Sequence, residues 1–260
     1  MTEGGDGAEE PLFGGLQSGR VVKVGDTVRR PSGDWTATVF ALLGHLRAKG
    51  FPAPEPLGLD KRGREIVSFL PGRACNYPWP PALLETSGAR AVGAFVSAYH
   101  DAVADFAPPA PAIWRHGPQP LRPGEVALHG DFAPHNLVWG DLAPSGLIDF
   151  ELARPGMPIE DAAFCVVRAA CFRDDERTLR MGFVEPPDRR ARLAAFAEGW
   201  GAPAADLLAQ ARVSEVAELD RIARLGARGL EPWASFLRVG LADEARAEIA
   251  WLDAHAGALL

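Results

Sequence analysis

The chain has 260 residues, of which 47% are hydrophobic, and its formal net charge is −7 at pH 7. This length and composition allow a substantial buried core, so the sequence predicts a folded, enzyme-sized protein with one large domain or two small ones. The acidic charge gives no long-range attraction to polyanions, which argues against nucleic acids and anionic membrane surfaces as partners.

Cysteine usage and the apolar pattern indicate the compartment. Cys75, Cys165 and Cys171 form no C-x-x-C pair and no cluster with histidine at metal-ligand spacing, so neither a disulfide framework nor a structural zinc site is indicated. No stretch approaches about 18 consecutive apolar residues, and the acidic, glycine-rich start does not resemble a signal peptide. We therefore expect a soluble, cytoplasmic protein.

The first part of the chain carries strand and turn signals. Residues 1–10 are polar and rich in Gly and Glu, which predicts a disordered, frayed end. Residues 21–24 and 27–30 are β-branched runs joined by Gly25-Asp26, a two-residue turn, so a β-hairpin is expected.

One helix and two more strands complete this region. Apolar residues recur at helical spacing over residues 39–46, which predicts an amphipathic helix packed on the hairpin. Residues 56–59 and 64–70 are strand candidates, and Pro71-Gly72 then breaks the pattern.

The rest of the chain is predicted to be mainly helical. Residues 83–103 have helical periodicity, as does most of the chain after residue 157, and residues 126–128 are a short apolar strand. The fold class is therefore α+β, with a small β-rich domain over residues 1–72 and a larger, mainly helical domain over residues 73–260.

Two carboxylates and an amide follow short apolar strands in the second domain. Asp131 and Asn136 lie on the loop that leaves one strand, and Asp149 directly follows the next. Antiparallel pairing of these strands would bring the three side chains to one end of the pair. Oxygen ligands suit Mg²⁺, and phosphoryl transfer depends mainly on positioning and charge neutralisation. The set therefore predicts a magnesium-dependent phosphotransferase.

The spacing H-x-D-x-x-x-x-N, followed by a strand ending I-D-F, is similar to the kinase catalytic loop and its metal-binding aspartate. With a later D-x-A element at Asp161, the segment resembles the aminoglycoside phosphotransferase family, whose relatives include protein, choline and fructosamine kinases. The resemblance implies a two-lobed protein-kinase-like fold in which Asp131 is the catalytic base or orients the hydroxyl. It implies Asn136 and Asp149 as Mg²⁺ ligands, and His129 and Asp161 as structural supports of the site.

The resemblance also implies a nucleotide site in the N-terminal lobe. A glycine-rich loop over residues 14–19, including Gly15 and Ser18, would cover the phosphates, because glycines let backbone N–H groups approach phosphate oxygens. We assign the phosphate-binding cation to Arg29, with Arg30 as the alternative.

The purine would meet the connection between the lobes. The backbone of Ser68, Phe69 and Leu70 is expected to contact the purine edge in an apolar slot. The family's helix glutamate, which braces the cation, is missing here, because the aligned residue is Val39 and residues 39–46 contain no carboxylate. Either phosphate alone holds the arginine, or another acid does.

Two more side chains near the catalytic loop are given no catalytic role. Glu151 either adds to the charge at the metal or faces solvent, and we favour solvent. His135 is interpreted as a solvent-facing loop residue.

The predicted function is an ATP- or GTP-dependent phosphotransferase that moves the γ-phosphoryl group to a small-molecule hydroxyl. An aminoglycoside, another antibiotic, a nucleoside-type compound, an amino alcohol and a sugar metabolite are all open as acceptors. Residues 173–192 contain six arginines and five acids, a balance that does not favour a polycation. The alternatives are a catalytically weakened, nucleotide-binding regulatory protein and a metallohydrolase. The choice between ATP and GTP and the oligomeric state are left open.

Overall fold

A five-stranded antiparallel sheet forms the N-terminal part of the computed structural model, which describes residues 8–12, 20–75 and 77–260. In spatial order its strands are β1 (Glu10–Pro11), β2 (Val22–Val24), β3 (Thr27–Arg30), β5 (Glu65–Ser68) and β4 (Pro56–Leu59). Val24 pairs with Thr27 across the turn between β2 and β3, so the predicted hairpin is present.

The sheet begins earlier in the chain than we expected. Glu10 pairs with Lys23 of β2, and the Glu9 carboxylate lies 2.7 Å from an Arg64 guanidinium nitrogen. Residues 8–10 therefore differ from the disordered end predicted for residues 1–10. Residues 1–7 lie outside the part of the chain that the structure describes.

The predicted helix, α1 (Thr36–Ala48), packs on this sheet. It buries Val39, Leu42 and Leu46 in the same hydrophobic core as Val67 of β5. The periodic apolar face that predicted the helix is thus the face that anchors it.

The second part of the chain is mainly helical. Its strands are β6 (Arg73–Ala74), β7 (Ile113–Trp114), β8 (Gly117–Pro118), β9 (Val126–Leu128), β10 (Leu137–Trp139), β11 (Pro144–Leu147) and β12 (Arg154–Gly156). Its helices are α2 (Pro81–Leu84), α3 (Thr86–Val103), α4 (Pro158–Ala169), α5 (Asp175–Arg180), α6 (Arg189–Trp200), α7 (Ala204–Gly226), α8 (Trp233–Arg238) and α9 (Leu241–Leu259). Two 3-10 turns, Pro134–Asn136 and Phe150–Leu152, flank the β10–β11 pair. Among the described helices, none has both the length and the apolar character needed to cross a membrane.

The helix predicted over residues 83–103 is two helices. The backbone of Glu85 is extended, with φ −80° and ψ 153°, and it separates α2 from α3. The buried guanidinium of Arg192 donates to the carbonyl oxygens of Leu83 and Glu85, at 2.7 and 3.0 Å. These bonds satisfy carbonyl groups that have no partner at a helix end.

Candidate active site

The strand β9 delivers the loop that carries the central carboxylate. Gly130 has a φ of 80°, and a Cβ at this position would lie 2.1 Å from the carbonyl oxygen of Leu152. Only glycine tolerates both the left-handed backbone and this approach. The turn places Asp131 on the wall of a cavity of about 810 Å³ that residues of both lobes line.

Asp161, in the first turn of α4, holds the backbone of this loop. Its carboxylate is buried and accepts hydrogen bonds from the backbone N–H groups of His129, at 2.6 Å, and Gly130, at 3.1 Å. The ring Nε2 of His129 lies 2.9 Å from the carbonyl oxygen of Ile148. The two side chains thus connect this loop to α4 and to the residue before Asp149.

The three predicted chemical residues, Asp131, Asn136 and Asp149, come together at the end of the β10–β11 pair. The side-chain nitrogen of Asn136 donates to the carboxylate and to the backbone carbonyl of Asp131, at 2.9 Å each. The N–H of Ile148 donates to the backbone carbonyl of Asn136 at 2.9 Å, which brings the next residue, Asp149, to the same place. All three residues line the cavity.

Asp149 has an unusual backbone. Its φ of 70° and ψ of 57° place it in the left-handed region, where a non-glycine residue is costly by about 1–3 kcal/mol. Such conformations persist where the surrounding structure enforces them, and they cluster at functional sites.

His135 contacts the central carboxylate, in contrast to our interpretation of it as a plain solvent-facing residue. Its Nε2 lies 3.2 Å from Oδ2 of Asp131, although half of the side chain is exposed. Burial raises the pKa of Asp131, but the hydrogen bond and charge of His135, with the charges of His129 and Arg168, outweigh it and leave that pKa below its ordinary value. The sequence feature that could have indicated this contact is the four-residue spacing between Asp131 and His135, because a 3-10 turn brings residues at that spacing together.

The structure places Arg30, and not Arg29, at the cavity. Arg29 is buried and donates to Thr27 at 2.6 Å, whereas Nη2 of Arg30 lies 3.0 Å from Oδ1 of Asp149. Successive side chains of a strand point to opposite faces, so Arg30 shares the cavity side with Val28. Of the two candidates for the phosphate-binding cation, Arg30, which we gave as the alternative, is thus the one that lines the cavity.

A buried acid lies beside Arg30 although the helix provides none. As the sequence indicates, α1 contains no carboxylate. Glu65, the first residue of β5, is 1% exposed, and its Oε2 lies 3.2 Å from Nε of Arg30. The hydroxyl of Thr36 donates to the other oxygen of Glu65 at 2.6 Å.

Glu151 is buried, which corrects our preference for a solvent-facing position. Its Oε2 lies 3.2 Å from Nη2 of Arg30 and 3.0 Å from Nη1 of Arg115. Arg115 comes from the short β7–β8 hairpin and also stacks on the ring of Trp35. Sequence periodicity could not reveal this contact, because the hairpin is distant along the chain.

The predicted purine-binding backbone also lines the cavity. Ser68, Phe69 and Leu70 are all on its wall. The N–H groups of Ser68 and Phe69 donate to the carbonyl oxygens of Glu55 and Asp26, at 2.9 Å each, so they are occupied within the lobe. Gly15 and Ser18, predicted to cover the phosphates, lie outside the described residues.

The donors at this end of the cavity fit Mg²⁺. Asn136 and Asp149 offer an amide oxygen and a carboxylate, both hard oxygen ligands, beside a space large enough for nucleotide phosphates. Mg²⁺ usually takes one or two protein ligands and completes its octahedron with phosphate oxygens and water. Within the described residues, no group of three or more His, Cys, Asp and Glu is arranged to hold a metal ion.

The part of the cavity that α4, α7 and α9 line, which we call the acceptor side, carries charges of both signs. The acids that line it are Glu218, Glu244 and Glu248, and each lies within 4.0 Å of an arginine nitrogen. Arg168 and Arg173 also line it; Arg173 lies 2.8 Å from Glu248. The acids on this side are therefore compensated by arginines.

Sequence comparisons show which known proteins the chain is similar to. A model of the phosphotransferase enzyme family matches residues 110–205. The trifolitoxin immunity protein of Rhizobium leguminosarum bv. trifolii is 34% identical over 188 residues, which cover 70% of this chain and 70% of that protein. A homoserine kinase of Acidiphilium cryptum (strain JF-5) is 29% identical over 230 residues, covering 67% of this chain and 70% of the kinase.

A solved structure extends the comparison to the fold. An aminoglycoside phosphotransferase from Streptomyces rimosus, in complex with ADP and streptomycin, has a TM-score of 0.52 at 15% identity. The match covers 77% of this chain and 88% of that one. It confirms the predicted two-lobed, protein-kinase-like α+β fold.

Proposed function

Because the chain belongs to the aminoglycoside phosphotransferase family of small-molecule O-phosphotransferases, we propose that it moves the γ-phosphoryl group of Mg²⁺-bound ATP or GTP to a small-molecule hydroxyl. The observation that carries the proposal is that Asp131, Asn136, Asp149 and Arg30 line one cavity. A catalytic carboxylate, two oxygen ligands and a phosphate-binding cation are the parts that phosphoryl transfer uses.

Asp131 orients the acceptor hydroxyl and accepts its proton. The acceptor oxygen bonds to the γ-phosphorus while the bond from that phosphorus to the β,γ-bridging oxygen breaks, and the nucleoside diphosphate leaves. The lowered pKa of Asp131 keeps its carboxylate ionised at neutral pH, as a proton acceptor must be.

The donor binds between the two lobes. Asn136 and Asp149 hold Mg²⁺, whose charge stabilises the phosphate oxygens when it is bound. Arg30 contacts the phosphates, and Leu70 contacts the purine edge together with the neighbouring backbone of Ser68 and Phe69. The ADP bound to the Streptomyces rimosus enzyme supports a nucleotide donor.

The acceptor is a small hydroxylated compound of neutral or mixed charge. The acids on the acceptor side are compensated by arginines, so a polycation such as an aminoglycoside finds little uncompensated negative charge there. The relatives include a toxin immunity protein and a homoserine kinase, and the solved structure binds streptomycin. This range supports antibiotics, other natural-product toxins and hydroxy amino acids as the first acceptors to examine.

A transfer assay tests the proposal. The protein is incubated with Mg²⁺-ATP or Mg²⁺-GTP and a panel of aminoglycosides, other natural-product toxins, hydroxy amino acids and amino alcohols, and phosphorylated products are detected by mass spectrometry. We expect a product that requires Mg²⁺ and is lost in Asp131→Asn. Nucleotide binding without transfer to any acceptor would instead favour the regulatory alternative.

A further inference from the structure

We propose that Glu65, on a strand of the N-terminal sheet, is the acid that positions Arg30 on the nucleotide phosphates. The inference rests on the proposed function, in which Arg30 is the phosphate-binding cation. Glu65 takes the role of the carboxylate that α1 lacks. The absence of that carboxylate then gives no reason to regard the enzyme as weakened.

The pairing of two strands in the sheet places Arg30 next to Glu65. Arg30 and Glu65 are direct partners in the antiparallel ladder between β3 and β5. Side chains of directly opposed residues lie on the same face of a sheet, with their Cβ atoms about 4.5–5.5 Å apart. The 3.2 Å separation between Nε of Arg30 and Oε2 of Glu65 therefore follows from strand register.

The helix contributes to this arrangement through its first residue. Thr36 begins α1, and its hydroxyl donates to Oε1 of Glu65 at 2.6 Å. The N-terminal end of a helix carries partial positive charge, which stabilises a nearby carboxylate. Glu65 is thus held on one oxygen by the helix and on the other by Arg30.

The two ends of the Arg30 guanidinium have different partners. Nε forms an ion pair with Glu65, at 3.2 Å but without hydrogen-bond geometry, on the side away from the cavity, while Nη2 lies against Asp149 and Glu151, which line it. When Asp149 binds the metal, Nη2 can turn to a phosphate oxygen while Nε keeps its contact with Glu65. The planar guanidinium presents its N–H groups in a rigid fork, so Arg30 can address the two sides through different nitrogen atoms, whereas a lysine would use one ammonium for both.

A brace within the sheet has a mechanistic consequence. A carboxylate on a helix loses its cation when the helix shifts, whereas Glu65 and Arg30 lie on adjacent hydrogen-bonded strands. The acid that pairs with Arg30 is therefore supplied within the sheet, and α1 contributes only the hydroxyl of Thr36.

Nucleotide binding by the whole protein tests this role without an identified acceptor. We would measure the dissociation constants of Mg²⁺-ATP, Mg²⁺-GTP and the corresponding nucleosides by calorimetry. Glu65→Gln keeps the shape of the side chain and removes its charge. We expect it to weaken triphosphate binding by about tenfold, the loss typical when a less firmly held Arg30 gives up one charge-assisted hydrogen bond to a phosphate oxygen. Nucleoside binding should not change.

A double variant tests whether Glu65 acts by positioning Arg30 or only by supporting the fold. In an Arg30→Gln background, Glu65→Gln should weaken triphosphate binding by less than about twofold further, because residues that act through one another are not additive. Asp60→Asn is the control, since Asp60 pairs with Arg64 in the turn between β4 and β5, outside the cavity. It should bind triphosphate like the wild type.

Two results would overturn the inference. One is unchanged triphosphate affinity in Glu65→Gln while Arg30→Gln binds weakly; the other is an equal loss for nucleoside and triphosphate. If Arg30→Gln itself binds normally, the proposed role of Arg30 fails as well. Should Glu65→Gln not fold, Thr36→Val removes the hydroxyl that holds Glu65, and a smaller but equally Arg30-dependent loss is expected.

Discussion

The two walls of the cavity hold their polar groups in different ways. On the helical side, the backbone positions Asp131, because Asp161 accepts the N–H groups of His129 and Gly130. On the sheet side, ion pairs between side chains hold Arg30. Main-chain geometry therefore fixes the proposed catalytic loop, and charge pairing across strands fixes the proposed phosphate contact. Substitutions on the two sides should affect different steps.

Asp131→Asn should produce the largest effect. It removes the proton acceptor but keeps the size of the side chain, so turnover should fall by about 10²–10⁴-fold, the usual contribution of general base catalysis. The dissociation constant of the Mg²⁺-nucleotide should remain unchanged. Steady-state kinetics and calorimetry measure the two quantities, and wild-type turnover in this variant would remove Asp131 from the mechanism.

Asp161→Asn should lower the free energy of unfolding, because it weakens the contacts that hold the loop carrying Asp131. A buried carboxylate that accepts backbone hydrogen bonds contributes about 1.5–3 kcal/mol to the free energy of unfolding, which urea denaturation at pH 7 measures. Burial raises the pKa of Asp161, but the neighbouring histidines more than offset this and leave it below its ordinary value of 3.8. A lowered pKa gives stability that is present above that value and is lost as the pH falls through the lowered pKa.

The stability difference between Asp161→Asn and the wild type should therefore shrink as the pH falls below about 4. A difference that stays constant down to the acid transition would contradict the ionised, loop-holding role of Asp161. Gly130→Ala, which alters the same loop without changing its charge, is the control and should destabilise the protein without this pH dependence.

Arg30→Gln and Arg29→Gln form a matched pair on the sheet side. Arg30→Gln should weaken Mg²⁺-triphosphate binding by about tenfold or more, because a charge-assisted contact to phosphate is lost. Arg29→Gln should leave this affinity within about twofold, because the guanidinium of Arg29 contacts Thr27 and Asp60 rather than the cavity. Calorimetric titration measures both affinities, and the reverse order would restore the original assignment.

His135→Asn should give the smallest effect. Half-exposed ion pairs contribute about 0–1 kcal/mol, so loss of the contact with Asp131 should change turnover by no more than about fivefold. A loss as large as that of Asp131→Asn, seen in the same kinetic assay, would mean that His135 takes part in the chemistry.

The loop side is the part of the site that the sequence predicts well. Asp131, Asn136 and Asp149 lie within one short segment, as the sequence indicates. The pairing that we expected, between the strand before Asp131 and the strand before Asp149, is wrong, because β9 pairs with β12 and the partner of β11 is β10. The antiparallel register of β10 and β11 brings the three residues to one end without any information from distant parts of the chain.

The sheet side depends on register and long-range contacts that a single sequence does not specify. A shift of one residue moves every side chain of a strand to the other face, which is why Arg29 could not be distinguished from Arg30. Glu65 pairs with Arg30 only because β3 and β5 are neighbours. One sequence feature could have indicated that Glu65 is buried. It lies two residues before the buried Val67, and alternation along a strand places both side chains on the same side of β5.

Thermal unfolding with Mg²⁺, with nucleotide and with both tests the central claim most directly. A ligand present at about 100 times its dissociation constant stabilises the folded state by about 2.7 kcal/mol. We predict a clear rise in melting temperature that requires both Mg²⁺ and ATP or GTP, and a much smaller rise in Asp149→Ala. No rise with either nucleotide at millimolar concentration, or an equal rise in Asp149→Ala, would contradict a phosphotransferase site built around Asp131, Asn136 and Asp149.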